Sequence, residues 1–206
     1  MKTIEATQTT LYPVVEVFHS LQGEGVWSGT SAWFIRLGGC DVGCWFCDTK
    51  ASWNSRRHPQ QTVQQITQTA AAAAAKIVVI TGGEPLLHDL APLSASLQAH
   101  NLKVHLETSG AHPLSGRFDW VTCSPKPFKP PHASVYPHVD ELKVVISQPA
   151  DFTWAEQQAI AVPPTAVKLL QPEWGTPESA QLVFDYVRCH PDWRLSLQTH
   201  KFLGIQ

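Results

Sequence analysis

The sequence predicts an α/β fold, an incomplete, trimmed (β/α) barrel built on a parallel sheet. Three observations carry that expectation. Short β-branched apolar runs alternate with segments of helical periodicity. Only about seven such runs are present, too few for eight regular units. Polar or glycine-rich groups follow nearly every run, and the carboxyl ends of parallel strands are where such sheets bind ligands.

The first strand runs from Ser31 to Leu37, just ahead of a cysteine cluster. Thr62 to Ala75 reads as helix, because Val63, Ile66, Ala70, Ala73 and Ala74 share one face and alanine has the best helix propensity. Lys76 to Thr81 is a strand buried on both faces. Asp89 offers an N-cap to a helix whose inner face is Leu90, Leu93 and Leu97. Strands follow at Leu102 to Glu107, Phe118 to Cys123, Glu141 to Ile146 and Ala166 to Leu170. Thr176, Pro177 and Glu178 read as N-cap, first-position proline and first-turn acid of a helix lined by Leu182, Val183, Tyr186 and Val187. Trp193 to Gln198 is the last strand. Five prolines between Pro125 and Asp140 leave a loop where a crossover helix is expected. No repeat or linker divides the chain, so 1–206 reads as a single domain with 1–10 as an N-terminal extension.

The composition excludes several classes. At 43% hydrophobic and 16% charged, the chain is not of the disordered type. No apolar run approaches the ~20 residues that span a bilayer. The start, MKTIEATQTT, lacks the basic and apolar blocks of a signal peptide. A net charge of -2 gives no pull toward nucleic acid or anionic membrane. A cytoplasmic protein with no nucleic-acid or membrane partner is expected. The five cysteines are an odd number and argue against a disulfide framework.

Three of those cysteines form a C-x3-C-x2-C cluster, Cys40, Cys44 and Cys47, with Gly43 to ease the turn. Thiolates suit zinc or iron–sulfur. Structural zinc wants four ligands, and the nearby Asp48 and His58 are poorly spaced to supply the fourth. Three thiolates on a four-iron cluster leave one iron open. Trp45 and Phe46 would shield such a cluster from water, while Cys123 and Cys189 read as packing thiols. Buried thiols, zinc and a cluster all stay open at this point.

The cysteine pattern and Gly82-Gly83-Glu84-Pro85 together resemble the radical S-adenosylmethionine (SAM) superfamily. More narrowly, Ser20-Leu21-Gln22-Gly23-Glu24-Gly25, Phe34-Ile35-Arg36-Leu37, Cys47-Asp48-Thr49, Glu107-Thr108-Ser109-Gly110, Ser124-Pro125-Lys126 and Gln198-Thr199-His200-Lys201-Phe202-Leu203 resemble the 7-carboxy-7-deazaguanine synthase family. These segments span most of the chain in the expected order.

That resemblance implies a lyase of queuosine-precursor (7-deazapurine) biosynthesis. It would convert 6-carboxy-5,6,7,8-tetrahydropterin to 7-carboxy-7-deazaguanine with loss of ammonia. Hydrogen is taken from C6 of the pterin, the ring contracts, and SAM is regenerated. The implied cofactors are a 4Fe-4S cluster on Cys40, Cys44 and Cys47, SAM, and magnesium (Mg2+) at Thr49, although Asp48 is the more intuitive magnesium ligand by charge. SAM would be held by Phe46, Cys47, Asp48, Gly83, Glu84, Ser109, Ser124, Pro125, Lys126 and Gln171. Glu84 faces the amine of SAM or else braces the loop. The pterin would meet Leu21, Gln22, Gly23, Glu24, Arg36, Thr81, His200 and Gln206, the last through its terminal carboxylate. A guanidinium such as Arg36 can hold a carboxylate bidentately, and an acid such as Glu24 suits the donor edge of an aminopyrimidinone. A homodimer and an electron donor such as a flavodoxin are implied as partners.

Plainer readings stand beside these. Thr81-Gly82-Gly83-Glu84-Pro85 alone could be a tight turn, Arg36 a buried ion-pair partner, and His200 with Lys201 a solvated tail. A radical SAM activase of a protein partner, a non-catalytic iron–sulfur electron-transfer protein and a zinc-stabilised module are the competing functions. The order and location of the motifs, taken together, favour the synthase.

Overall fold

In a computed structural model of the chain, residues 10–206 are described. The expected N-terminal extension therefore lies outside the described residues, apart from Thr10. The strands are β1 (Leu11–Leu21), β2 (Ser31–Leu37), β3 (Gln60–Thr62), β4 (Ile77–Gly82), β5 (Val104–Thr108), β6 (Trp120–Cys123), β7 (Glu141–Ile146), β8 (Val167–Pro172) and β9 (Trp193–Leu195). The helices are α1 (Val63–Ala72), α2 (Ala91–Ala99), α3 (Asp151–Ala161), α4 (Ser179–Cys189) and α5 (Thr199–Leu203).

The strands form one sheet in the order β3-β1-β2-β4-β5-β6-β7-β8-β9. From β2 to β9 every pairing is parallel, while β1 runs antiparallel to both of its neighbours. Among the described residues β3 and β9 are the two edges of the sheet and do not pair with each other, so the barrel is incomplete, as expected.

Side-chain alternation sorts the two faces. On β4, Val78 and Ile80 join the main core with Ile66 of α1 and with Leu93 and Leu97 of α2. Ile77 and Val79 point the other way and pack with Ala32 and Phe34 inside the barrel. The strand register then lines up a polar layer above that apolar floor. Arg36 lies beside Thr81, Glu107 beside Thr122, and Thr122 beside Glu141. Lys143 follows Glu141 on the same face of β7.

Several expectations need correction. β1 and β3 were not expected. Pro13 and a bulge between Val14 and Glu16 blur the alternation of β1, and three residues are too few for β3 to announce itself. α1 carries a capping box between Thr62 and Gln65 but stops at Ala72. Ala73 and Ala74 belong to the turn, with Ala74 at φ 52. Asp89 accepts from the Ala91 N–H at 3.0 Å but sits before the cap position, which is Leu90. Thr176 does not cap α4; its hydroxyl donates to Glu173 Oε2 at 2.6 Å, and Glu178 occupies the cap. α3 was also missed. It buries only Ala155 and Gln158, so its pattern is faint, and Asp151 anchors its start by accepting from the N–H groups of Ser147 and Gln148. β9 ends at Leu195, three residues early, because the chain turns into α5. Cys123 is buried as a packing thiol should be, whereas Cys189 is exposed at the end of α4.

The segment after β1 and the C-terminal tail cross the open side of the barrel. Gly23 O accepts from Thr199 N at 2.8 Å, and the Gly25 N–H donates to Ser196 Oγ at 3.1 Å. Farther along, Ser20 Oγ donates to Gln206 O at 2.6 Å. Among the described residues no helix is long and apolar enough to cross a membrane.

Candidate active site

A cavity of about 210 Å³ opens at the carboxyl ends of the strands. Its three parts are built from different chemistry.

At one end, Cys40, Cys44 and Cys47 all face the cavity from the loop after β2. That loop is held close to the Gly82-Gly83 turn by Glu84 N–H donating to Gly39 O at 2.8 Å. Gly83 is what allows the approach. A Cβ there would lie 2.2 Å from Gly39 O and 2.8 Å from Cys40 Cβ. Burial pushes the Cys40 and Cys44 thiols above the usual range, although Lys126 pulls Cys44 back. Among the described residues no three His, Cys, Asp or Glu side chains converge on a single metal ion. Three soft thiols on one wall, with open cavity beside them, fit a 4Fe-4S cluster that keeps one iron for another ligand. Phe46 lines the cavity with them, but Trp45 is 61% exposed and shields nothing.

The middle is a braced polar wall. Glu84 is buried, and its carboxylate accepts from Ser109 N at 2.8 Å, Leu86 N at 3.0 Å and the hydroxyls of Thr108 and Ser109. One carboxylate thus fixes the loop after β5 to the loop after β4. Lys126 is buried as well, donates to Ser124 Oγ at 2.8 Å, and lies 6.0 Å from the Phe46 ring centre. Burial lowers its pKa. Gln171 accepts from Ser196 Oγ at 3.0 Å. Ser109, Ser124, Lys126, Gln171, Asp48 and Gly83 all reach the cavity, while Pro125 is buried behind it and Glu84 acts from behind through Ser109.

The far end is ionic. Glu24, Glu107 and Lys143 line it together with Thr81 and Gln198. Lys143 donates to Glu24 Oε2 and pairs with Glu107 Oε2 at 3.5 Å. Gln22 Nε2 donates to Glu107 Oε1 at 2.6 Å, and Glu24 N donates back to Gln22 Oε1 at 3.1 Å. Gln198 Nε2 donates to Glu24 Oε1 at 2.7 Å. Burial alone would lower the Lys143 pKa, but Glu107, Glu24 and Glu141 raise it. Burial alone would raise that of Glu24, but Lys143, Gln198 and His200 lower it. Glu141, beneath, is pushed up by burial against the pull of Lys143.

The remaining expected residues lie off the cavity wall, Thr49 beside the thiols, where its N–H donates to Cys47 Sγ at 3.4 Å, and the others around this end. Arg36 is paired with Glu16 at 2.7 Å and lies 5.8 Å from the Phe18 ring centre. Gln206 reaches the same Glu16 with its side-chain amide at 2.5 Å. His200 packs over Gly23, where a Cβ would lie 2.1 Å from its Nδ1. Leu21 is exposed at the end of β1. Thr49 donates to Asp48 Oδ1 at 3.0 Å, and Asp48 pairs with Lys201 at 2.7 Å. The sequence reading missed Lys143 and the site roles of Glu107, Thr108 and Gln198. Lys143 shares an otherwise apolar strand with Glu141, and charge at inward positions of a barrel strand was the signal.

An open (β/α) barrel with three thiols at its carboxyl rim and a Gly-Gly-Glu-Pro loop against them defines a radical SAM protein. Residues 34–121 match the Radical SAM superfamily. The chain is 54% identical to the 7-carboxy-7-deazaguanine synthase of Synechocystis sp., over 100% of this chain and 99% of that one. It is 48% identical to the enzyme of that name from Flavobacterium psychrophilum, covering 95% and 93%. The crystal structure of QueE from Escherichia coli superposes with a TM-score of 0.86 at 30% identity, covering 97% of this chain and 99% of that one. The chain belongs to the 7-carboxy-7-deazaguanine synthase family.

Proposed function

We propose that this chain, working as a single domain over 1–206, converts 6-carboxy-5,6,7,8-tetrahydropterin to 7-carboxy-7-deazaguanine and ammonia. The observation that carries the reading is one cavity with a thiol end and an ionic end, joined by a braced polar wall. A protein that only relays electrons has no need of the ionic end. An activase needs an opening for a protein chain, and here the tail and the segment after β1 cover that side.

When bound, the 4Fe-4S cluster and SAM supply the one-electron chemistry that starts the reaction. Cys40, Cys44 and Cys47 hold the cluster. Gly83, Ser109, Ser124, Pro125, Lys126 and Gln171 hold SAM, with Phe46 and Asp48 beside it. Glu84 serves through the loop it fixes, since its oxygens already accept from Thr108, Ser109 and Leu86. Glu24 accepts from the aminopyrimidinone edge of the pterin, and Gln22, Gly23, Leu21, Thr81 and His200 frame it. Arg36 and the Gln206 side-chain amide both bond Glu16, which sets them on the same side, and Arg36 takes the substrate carboxylate. Thr49 and Asp48 offer adjacent oxygens, which suits magnesium with its retained waters. The enzyme works as a homodimer in the cytoplasm and takes its electron from a donor such as a flavodoxin.

The test is an anaerobic assay of reconstituted protein with SAM, magnesium, reductant and the carboxytetrahydropterin. Product detected by mass spectrometry without stoichiometric loss of SAM supports the reading. SAM cleavage with the pterin left intact overturns it.

A further inference from the structure

We propose that Lys143 is a positioning residue that presents Glu24 and Glu107 to the pterin as a fixed pair of acceptors. The inference rests on the pterin reading of this site and goes beyond it, because Lys143 belongs to none of the motifs that led there.

The geometry is a closed ring. Lys143 bonds one oxygen of Glu24 and pairs with one of Glu107. Gln22 bonds the other oxygen of Glu107 and receives the Glu24 N–H. The ring joins the segment after β1 to β5 and β7, so a single amine sets the spacing of two acids from distant parts of the chain. Lys143 is only 3% exposed. A buried ammonium is tolerated only where it is paired.

The charges facing this cluster do not balance. Glu24 and Glu107 approach from the loop and β5, Glu141 from β7 itself, Lys126 from the loop after β6, and His200 from α5. Three acids surround Lys143, so the wall presents excess negative charge and acceptor oxygens. An aminopyrimidinone edge offers N–H donors and matches such a wall. A carboxylic acid that has taken up a proton would present a donor there instead. Burial drives Glu24 toward that state, and Lys143 opposes it. Lys143 thus keeps Glu24 ionised and holds both acids in place.

The experiment measures carboxytetrahydropterin binding by anaerobic equilibrium dialysis, with reconstituted protein and SAM but no reductant, from about pH 5.5 to about pH 8. Wild-type affinity is expected to change little over that range. Lys143→Met should weaken binding by at least about tenfold at the acid end, with partial recovery as pH rises and Glu24 ionises. Lys143→Arg keeps the charge and should hold a flat profile with a smaller loss. Should Lys143→Met fail to fold, Lys143→Met with Glu107→Gln removes one unpaired acid and should give the same acid-weakened profile. Wild-type binding with a Lys143→Met variant of unchanged affinity, or with a loss equal at every pH and not rescued by arginine, overturns the proposal alone. Wild-type protein that binds no pterin at any pH overturns the pterin reading and this inference with it.

Discussion

The two ends of the cavity are built in opposite ways. Cys40, Cys44 and Cys47 come from eight consecutive residues and meet on one wall with their sulfurs available to a ligand. Glu24, Glu107, Lys143, Gln22 and Gln198 come from separate segments and already satisfy one another. The thiol end depends on what binds to it, whereas the ionic end is preorganised by the fold. Charge preset in a buried site costs little reorganisation when a ligand arrives.

Removing one side chain at the thiol end should have the largest effect. Cys44→Ala should abolish both iron–sulfur absorbance after reconstitution and turnover, while the apoprotein keeps its circular dichroism. Full turnover without a cluster would erase the distinction between the ends.

Glu84→Gln strikes the wall between them. It replaces a buried carboxylate that accepts from several donors with an amide whose NH2 cannot accept, and a buried donor left unsatisfied costs about 1–3 kcal/mol. Denaturant unfolding of the variant should show that loss, together with weaker SAM binding. Unchanged stability would mean that Glu84 is no brace.

The floor under the ionic end gives a pH signature. His105 is buried beside Trp27 and Trp120, with ring centres 4.8 and 6.4 Å away, and burial lowers its pKa to about 4. The unfolded chain binds this proton near pH 6.5, before the folded one does, so stability falls as pH drops below ~6.5 and levels off below ~4. The loss attributable to His105 is about 3 kcal/mol. Replacing it with phenylalanine should flatten that part of the stability–pH curve; an unaltered slope would place the acid sensitivity elsewhere.

Arg36→Ala should weaken pterin binding about tenfold and leave SAM binding nearly unchanged. If pterin affinity and turnover survive, Arg36 serves only to pair Glu16. Smallest of all, Lys201→Met should cost less than about 1 kcal/mol, because its partner Asp48 is 56% exposed and the pair is screened by solvent.

The same contrast explains what could be read from the sequence. The parallel strands were legible because each is a short apolar run, and β2 and β7 fall where their patterns put them. The thiol end was legible because its three cysteines are close in the chain. Pro13 and the bulge hid β1, and the sparse burial of α3 hid that helix. Lys143 was half legible. Its charge at an inward position was a local sign, but its partners Glu107 and Glu24 come from other segments, and no local pattern names them.

One cavity brings the thiol end and the ionic end within reach of one reaction. Carboxytetrahydropterin deuterated at C6, incubated anaerobically with reconstituted protein, SAM and reductant, tests it directly. Deuterium in the SAM recovered after turnover, read by mass spectrometry, is the predicted result. SAM that is cleaved without acquiring deuterium, beside unreacted pterin, would contradict the account.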